Sequence, residues 1–230
     1  MNTILITGSN RGIGLELCKQ YAEAGWSVHA CCRNPQQASE LQKLASQHKQ
    51  ITIHQLDISD IQQIQTLAKK LQDTAIDILF NNAGIYGQND AYFGNTDEQQ
   101  WLECFRINTI APMKMSEAFV SQVAASELKI IATMSSKMGS MTDNGSGGSY
   151  VYRSSKAALN AVMTSAAIDL KPKNIKVAIL HPGWVKTDMG GPNAEISTEK
   201  CVHQLRNILD DFSMQQSGSF FEIDGSIIPW

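Results

Sequence analysis

The fold is decided by the stretch Thr7-Gly8-Ser9-Asn10-Arg11-Gly12-Ile13-Gly14, which follows an apolar run at residues 3–7 and opens a helical pattern. Glycines at a strand-to-helix turn permit a tight backbone and a close approach to a pyrophosphate, whose charge then faces the helix N-terminus. The spacing is G-x-x-x-G-x-G, which differs from the common G-x-G-x-x-G fingerprint. Its position nevertheless predicts a dinucleotide-binding turn made by Gly8, Asn10, Arg11, Gly12, Ile13 and Gly14.

Outward from this turn, short apolar runs alternate with longer helical stretches along the chain. Runs that are nearly continuous in apolar residues are typical of parallel strands covered on both faces. The predicted strands are residues 3–7, 27–31, 51–56, 76–80, 128–134, 175–180 and 219–223. The predicted helices are residues 12–24, 35–46, 61–72, 97–108, 112–125, 150–170 and 198–212, with Asp60, Thr96 and Ser197 as N-caps of three of them.

This alternation predicts an α/β fold: a single-domain, Rossmann-type, doubly wound parallel sheet of about seven strands with helices on both faces. One domain is expected to span residues 1–230, since no linker or internal repeat interrupts the pattern. Residues 142–149, rich in glycine and serine, are expected to form a flexible surface loop. In such sheets ligands bind at the carboxyl ends of the strands.

Composition limits the classes of function. The chain is 43% hydrophobic and 18% charged, with a net charge of −3, as in an ordinary globular protein. Nucleic acid and membrane partners are not expected, because the chain has no basic cluster and no apolar stretch of roughly 18 residues. The N-terminus lacks the features of a signal peptide, and the five cysteines show no C-x-x-C spacing. We expect a cytoplasmic protein with reduced, mostly buried thiols; a redox role for Cys31 and Cys32 is the alternative.

The end of the second strand indicates which dinucleotide binds. An NAD site usually places an acid about 20 residues beyond the glycine turn, to bind the ribose hydroxyls. This chain has Cys32-Arg33-Asn34 there instead. Because a guanidinium binds a 2′-phosphate well, Arg33, with Arg11 from the other side, favours NADP(H) over NAD(H). Further candidate cofactor contacts follow the third and fourth strands: Asp57 and Ile58 at the adenine, and Asn82, Ala83 and Gly84 along the cofactor.

Tyr152 and Lys156 are four residues apart in a predicted helix, so both side chains lie on one face. A free tyrosine has a pKa of about 10, too high for efficient proton transfer near neutrality. A nearby ammonium, helped by the positive charge of oxidised nicotinamide, is expected to lower it. Ser135 and Ser136 follow the fifth strand, where either hydroxyl can bind a substrate oxygen. The pattern indicates acid–base chemistry on a carbonyl or an alcohol.

Taken together, these motifs resemble the short-chain dehydrogenase/reductase family. The shared features are T-G-x-x-x-G-I-G, N-N-A-G, Asn108, the serine pair, Y-x-x-x-K and His181-Pro182-Gly183, in the family's order along nearly the whole chain. The segments that begin at Tyr152 and His181, and the ending Ile228-Pro229-Trp230, are similar to the C-factor and Sniffer-type carbonyl reductase branch.

The resemblance implies roles for individual residues. Tyr152 is the implied acid–base, Lys156 binds the nicotinamide ribose and tunes Tyr152, Ser136 holds the carbonyl oxygen, and Asn108 supports a water-linked proton relay to Lys156. A longer gap before Tyr152 than in most members leaves Ser135 as the alternative to Ser136. The resemblance also implies that Gly183 and Val185 border the nicotinamide and that Thr187 reaches its carboxamide, with Pro182 in the same cofactor-binding segment.

The sequence thus predicts an NADP(H)-dependent oxidoreductase that transfers a hydride between nicotinamide and a small carbonyl or alcohol. The alternative is an NADP(H)-binding signalling or sensor protein with little or no turnover. Metal binding is not expected, because the histidines, taken to be mostly surface or strand-end residues, show no ligand spacing. A nucleophilic serine enzyme is not expected either, because the sequence has no G-x-S-x-G motif. Apolar helices at 112–125 and 150–170, paired across a two-fold axis in family relatives, predict a homodimer or homotetramer.

Overall fold

Seven parallel strands form one sheet in the order β3-β2-β1-β4-β5-β6-β7. The computed structural model describes residues 1–230. Because the strand order reverses between β1 and β4, a crevice opens at the carboxyl edge between them. The predicted doubly wound parallel sheet is therefore confirmed. The strands are β1 Thr3–Thr7, β2 Ser27–Cys32, β3 Ile51–Gln55, β4 Ile78–Asn81, β5 Ile130–Met134, β6 Lys176–Leu180 and β7 Phe220–Phe221.

Helices cover both faces of the sheet. One apolar core joins the sheet to α1, α2 and α7, and a second joins the opposite face to α3, α5 and α6. Every strand except β3 contributes side chains to both cores by alternation, which explains the continuous apolar runs in the sequence. The helices are α1 Gly12–Glu23, α2 Ser39–Gln47, α3 Ile61–Lys70, α4 Glu98–Phe105, α5 Ala111–Ala124, α6 Tyr150–Leu170 and α7 Thr198–Asp210.

Helix starts differ from the prediction at α2 and α4, and α5 begins at Ala111 instead of Pro112. Asp60 and Ser197 cap α3 and α7 as predicted, but Asp97 caps α4 instead of Thr96, because its carboxylate accepts the N–H of Gln100 at 3.0 Å. The predicted helix at 35–46 is divided: residues 35–37 form a short 3₁₀ turn and α2 begins at Ser39.

Between α4 and α5 the chain does not leave the helix. A π-helical turn at residues 106–110 joins them, where the sequence predicts a break. Pro112 has no N–H, so the α-helical hydrogen bond to the carbonyl of Asn108 cannot form. The widened turn accommodates this loss, and the N–H of Ala111 reaches the carbonyl of Arg106 instead.

All five cysteines are buried free thiols, as predicted. Burial raises the pKa of Cys18 and of Cys201 to about 12, and it also raises the pKa values of Cys31 and Cys32. These thiols are therefore protonated near neutral pH, which disfavours the redox alternative for the adjacent pair. No helix combines the length and apolar character required to cross a membrane.

Two of the five histidines lie inside strands. His29 lies within β2 and His54 within β3, and the Nδ1 of His29 is 2.9 Å from the Nε2 of His54. The two residues are two positions apart in the register of the paired strands, and their imidazoles stack in a part-buried pair. Across the chain, no three His, Cys, Asp or Glu side chains are grouped so that they could hold a metal ion.

Candidate active site

A cavity of about 710 Å³ lies along the carboxyl edge of the sheet, at the crevice beside β1 and β4. Most of the residues predicted to bind a cofactor line it, although they come from six separate parts of the chain. They are Gly8, Asn10, Arg11, Gly12, Ile13, Gly14, Arg33, Asp57, Ile58, Asn82, Ala83, Gly84, Tyr152, Lys156, Pro182 and Thr187.

The glycine turn has a backbone that other residues adopt poorly. Gly8 and Gly12 have φ values of 69° and 56°. At Gly14 a Cβ would lie 2.2 Å from the carbonyl oxygen of Gly8, so helix α1 packs against the turn only because Gly14 has no side chain. No side chain caps the N-terminus of α1. Its first N–H groups thus face the cavity without a side-chain acceptor, which fits a bound phosphate.

The N-N-A-G segment holds this turn in place. The hydroxyl of Thr7 accepts the N–H groups of Asn82 and Ala83 at 3.0 and 3.1 Å. In return, the side-chain amide of Asn82 donates to the backbone carbonyls of Thr7 and Gly8. Asn82 is thus a structural link between β1 and β4 as well as a residue of the cavity wall.

Both predicted phosphate-binding arginines line the cavity. Arg33 is exposed after β2, and Arg11 extends from the glycine turn. Arg11 also forms an ion pair with Asp188, which follows β6. This pair spans two walls of the cavity, and the sequence gives no indication of it because the two residues are 177 positions apart.

Asp57, the candidate contact for the adenine, already has partners. One of its carboxylate oxygens accepts the N–H and the hydroxyl of Ser59, at 2.9 and 2.7 Å. Those bonds form a local turn after β3, and both Asp57 and Ile58 still line the cavity. Asp57 therefore shapes this wall as well as being a candidate for the adenine amino group.

Tyr152 and Lys156 lie on the inner face of α6, both nearly buried. The ammonium of Lys156 donates to the carbonyl of Met134 at 2.8 Å and lies 5.8 Å from the ring centroid of Tyr152. Gly84 leaves the space beside this ammonium open, because a Cβ there would lie 3.6 Å from the Lys156 nitrogen and 3.1 Å from the Asn108 side-chain oxygen.

Burial is the main influence on both ionisable groups. It raises the pKa of Tyr152 above its ordinary value, and a hydrogen bond with Ser136 acts in the opposite direction. Burial also lowers the pKa of Lys156 to about 8. The pKa of Tyr152 is thus raised, and the expectation that Lys156 lowers it is wrong for the chain by itself. Lowering by the positive charge of oxidised nicotinamide stays a prediction.

The two serines after β5 have different surroundings. The Ser135 hydroxyl donates to Asn160 on α6 at 2.5 Å, and Ser135 lines the cavity. Ser136 does not line the cavity; its hydroxyl accepts the N–H of Met138 at 3.2 Å, and its interaction with Tyr152 opposes the rise of the Tyr152 pKa. Because the Ser135 hydroxyl is engaged by Asn160, the structure favours Ser136 as the serine that acts with Tyr152.

Asn108 lies behind the cavity and is fully buried. Its side chain makes two hydrogen bonds with the backbone of Ile85: it accepts the N–H at 2.9 Å and donates to the carbonyl at 2.8 Å. It also donates to Ser155 at 3.0 Å, which links the end of β4 to α6. The side chain of Asn108 thus fixes the backbone beside Lys156, and its part in a proton relay stays a prediction.

The segment after β6 closes the remaining wall. Pro182 and Thr187 line the cavity, whereas Gly183 and Val185 do not. Val185 is buried because it bridges to Ile196, and Gly183 has a φ of 77°, with Ile196 too close to admit a Cβ. These two residues shape the loop, and their predicted contact with nicotinamide is not tested.

Several cavity or site residues are absent from the sequence prediction. Met134 supplies the carbonyl that binds Lys156, Asp188 pairs with Arg11, and Tyr86 stacks on Tyr152. The only signal in the sequence was their proximity to motifs: Tyr86 follows N-N-A-G-I, and Asp188 lies in the segment that begins at His181.

The fold and this cavity define a dinucleotide-binding α/β protein. Comparison with known proteins narrows the class, because the family model for short chain dehydrogenases matches residues 2–197. The chain belongs to the short-chain dehydrogenase family and is an oxidoreductase of that family.

Particular relatives agree with this assignment and with the resemblance to carbonyl reductases. The C-signal protein of Myxococcus xanthus is 38% identical over 155 residues, which cover 67% of this chain and 93% of that protein. Carbonyl reductase Sniffer of D. melanogaster superposes over 100% of both chains with a TM-score of 0.93 and 35% identity. The NADPH-bound carbonyl reductase from chicken fatty liver superposes over 100% of this chain and 99% of its own, with a TM-score of 0.93 and 32% identity.

Proposed function

We propose that this protein is an NADP(H)-dependent oxidoreductase that interconverts a small carbonyl and the corresponding alcohol. The observation that carries the proposal is the placement of Tyr152 and the buried ammonium of Lys156 on one face of α6, in a cavity that Arg11 and Arg33 also line. A protein that only bound the cofactor would have no need of this set.

Tyr152, Ser136 and Lys156 have different roles in the proposed reaction. Bound NADPH supplies the hydride. Tyr152 donates its hydroxyl proton to the carbonyl oxygen as negative charge develops there, and it removes the proton in the reverse direction. Ser136 accepts a backbone N–H, so its own proton is available to the substrate oxygen. Lys156 binds the nicotinamide ribose, and its positive charge stabilises the phenolate of Tyr152.

The preference for NADP(H) rests on charge at the adenosine end. Arg33 and Arg11 line the cavity there, and no carboxylate follows β2 to bind ribose hydroxyls. Two guanidinium groups suit a 2′-phosphate because each offers several N–H donors in a planar fork. The NADPH found in the chicken carbonyl reductase supports the same choice.

The test compares Tyr152→Phe with Lys156→Ala, using a carbonyl that the wild type reduces, found by following NADPH oxidation against a panel of aldehydes and ketones. Tyr152→Phe removes only the hydroxyl, so turnover should fall by about 10²–10⁴-fold while NADPH affinity is kept. Lys156→Ala should lower both turnover and NADPH affinity.

The outcomes separate the proposal from its rivals. Near-normal turnover in Tyr152→Phe with unchanged NADPH binding would show that the mechanism is wrong. NADPH binding by the wild type without oxidation in the presence of any carbonyl of the panel would favour the signalling or sensor alternative.

A further inference from the structure

Tyr86 is in direct contact with the proposed proton donor. Its ring stacks on the ring of Tyr152, with the centroids 4.6 Å apart and the planes inclined by 23°. Tyr86 is half-buried, whereas Tyr152 is nearly buried. Aromatic contact of this kind is worth more than the buried area alone and restricts how the two rings rotate. The orientation of the Tyr152 ring is thus set partly by Tyr86.

The hydroxyl of Tyr86 makes a second connection. It lies 2.9 Å from the hydroxyl of Ser149, the residue immediately before α6. Ser149 has a left-handed backbone, with φ 50° and ψ 36°, and its side chain makes no capping bond to the helix. A non-glycine residue keeps such a conformation only where neighbouring contacts hold it. The bond to Tyr86 is one such contact, and Tyr152 follows three residues later.

Tyr86 is itself firmly placed. The residue before it, Ile85, is held through both backbone groups by Asn108. The residue after it, Gly87, has a φ of 76°, and a Cβ there would lie 2.9 Å from a methyl group of Val151. The chain therefore turns tightly around Tyr86, between the end of β4 and the first turn of α6. A side chain held in this way can impose its position on its neighbours.

We propose that Tyr86 is a positioning residue for Tyr152: its ring fixes the plane of the Tyr152 ring, and its hydroxyl, through Ser149, fixes the start of α6. This inference rests on the proposed function, since it assigns a consequence to the placement of the Tyr152 hydroxyl. Displacement of a proton donor lowers turnover strongly even where substrate and cofactor still bind. The effect is therefore expected in kcat rather than in KM or in NADPH affinity.

A double-mutant cycle tests the hydroxyl link. Tyr86→Phe keeps the stacked ring and removes the bond to Ser149, and Ser149→Ala removes the same bond from the other side. Each should lower kcat by about 3- to 10-fold, the weight of one hydrogen bond, with KM and NADPH affinity unchanged. If both act through this bond, the double variant should be no slower than either single variant.

Tyr86→Leu tests the stacked ring. It should lower kcat by about 10- to 100-fold, because both the stacking contact and the hydroxyl bond are lost. Tyr86→Phe should therefore restore most of the turnover that Tyr86→Leu loses. The matched control is Tyr150→Phe: Tyr150 is an exposed tyrosine in the first turn of α6 whose hydroxyl makes no hydrogen bond in the structure, and its kcat should stay within about 2-fold of the wild type.

Three outcomes would overturn the proposal. They are a kcat for Tyr86→Leu within about 2-fold of the wild type, strictly additive effects in the cycle, and losses of kcat matched by equal losses of NADPH affinity. If Tyr86→Leu fails to fold, the cycle of Tyr86→Phe and Ser149→Ala decides alone. An inactive Tyr152→Phe with normal Tyr86 variants contradicts this inference only, whereas a fully active Tyr152→Phe contradicts the proposed function and this inference with it.

Discussion

At the scale of the residue, the two arginines that line the cavity are not equivalent. Arg11 is engaged by Asp188, whereas Arg33 is exposed and forms no ion pair. An engaged guanidinium must give up or share its partner before it binds a phosphate, so Arg33 is expected to contribute more to cofactor choice. An exposed pair such as Arg11–Asp188 adds little to stability, since its charges are well solvated.

Arg33→Ala should remove most of the preference for NADPH over NADH. Loss of a charge-assisted contact to the 2′-phosphate should cost about 1.5–3 kcal/mol of NADPH binding and leave NADH binding nearly unchanged. Dissociation constants of both cofactors, measured by fluorescence titration, check this. Arg106→Ala, at an exposed arginine outside the cavity, is the control. Equal dissociation constants for NADPH and NADH in the wild type would contradict the prediction.

At the scale of the element, the stability of the folded chain depends on pH through two histidines, one in β2 and one in the paired strand β3. Burial lowers the pKa of His54 to about 4, with smaller contributions from His29 and Lys70. Burial, and then Lys70, lowers the pKa of His29 as well. The unfolded chain takes up protons on histidine near the ordinary pKa of about 6.5, and the folded chain takes them up only at lower pH. Folding is therefore favoured above pH 6.5, and the advantage is lost as the pH falls towards 4.

His54→Gln should make the stability less dependent on pH, because glutamine stays neutral and can still bond to His29. The free energy of unfolding, measured by urea denaturation between pH 4 and pH 7, should fall less steeply towards acid than in the wild type. His203→Gln, at an exposed histidine of α7, should leave the slope unchanged. Identical slopes for wild type and His54→Gln would contradict the prediction.

At the scale of the whole molecule, assembly stays a prediction. Helices α5 and α6 bury one side against the sheet, and the outward side of α6 carries small residues, among them exposed Ala161 and Ser165. Small side chains let two helices approach closely, which suits the predicted two-fold interface.

Ala161→Arg should convert a dimer or tetramer to a smaller species. Ala161 is exposed in the single chain, so the substitution leaves the fold intact but places a long charged side chain at the expected interface. Light scattering at micromolar concentration measures the mass, and Gln47→Arg, at an exposed position of α2, is the control. A monomer mass for the wild type would refute the prediction.

The sequence by itself determined the sheet, the glycine turn and the Tyr152–Lys156 face of α6. These features depend on short-range periodicity and on backbone freedom at glycine, and residues a few positions apart report them directly. Helix boundaries were less certain: Thr96 was expected at a cap that Asp97 provides, and the π-helical turn before Pro112 was expected as a break.

Only the tertiary structure distinguished Ser136 from Ser135, joined Arg11 to Asp188 and stacked Tyr86 on Tyr152. The members of these contacts are up to 177 residues apart and belong to different loops at the carboxyl edge of the sheet. Which loop residues meet depends on strand order, on the exact turn each loop makes and on the rotamers that packing permits. None of these is encoded in local spacing, because each is set by the chain as a whole.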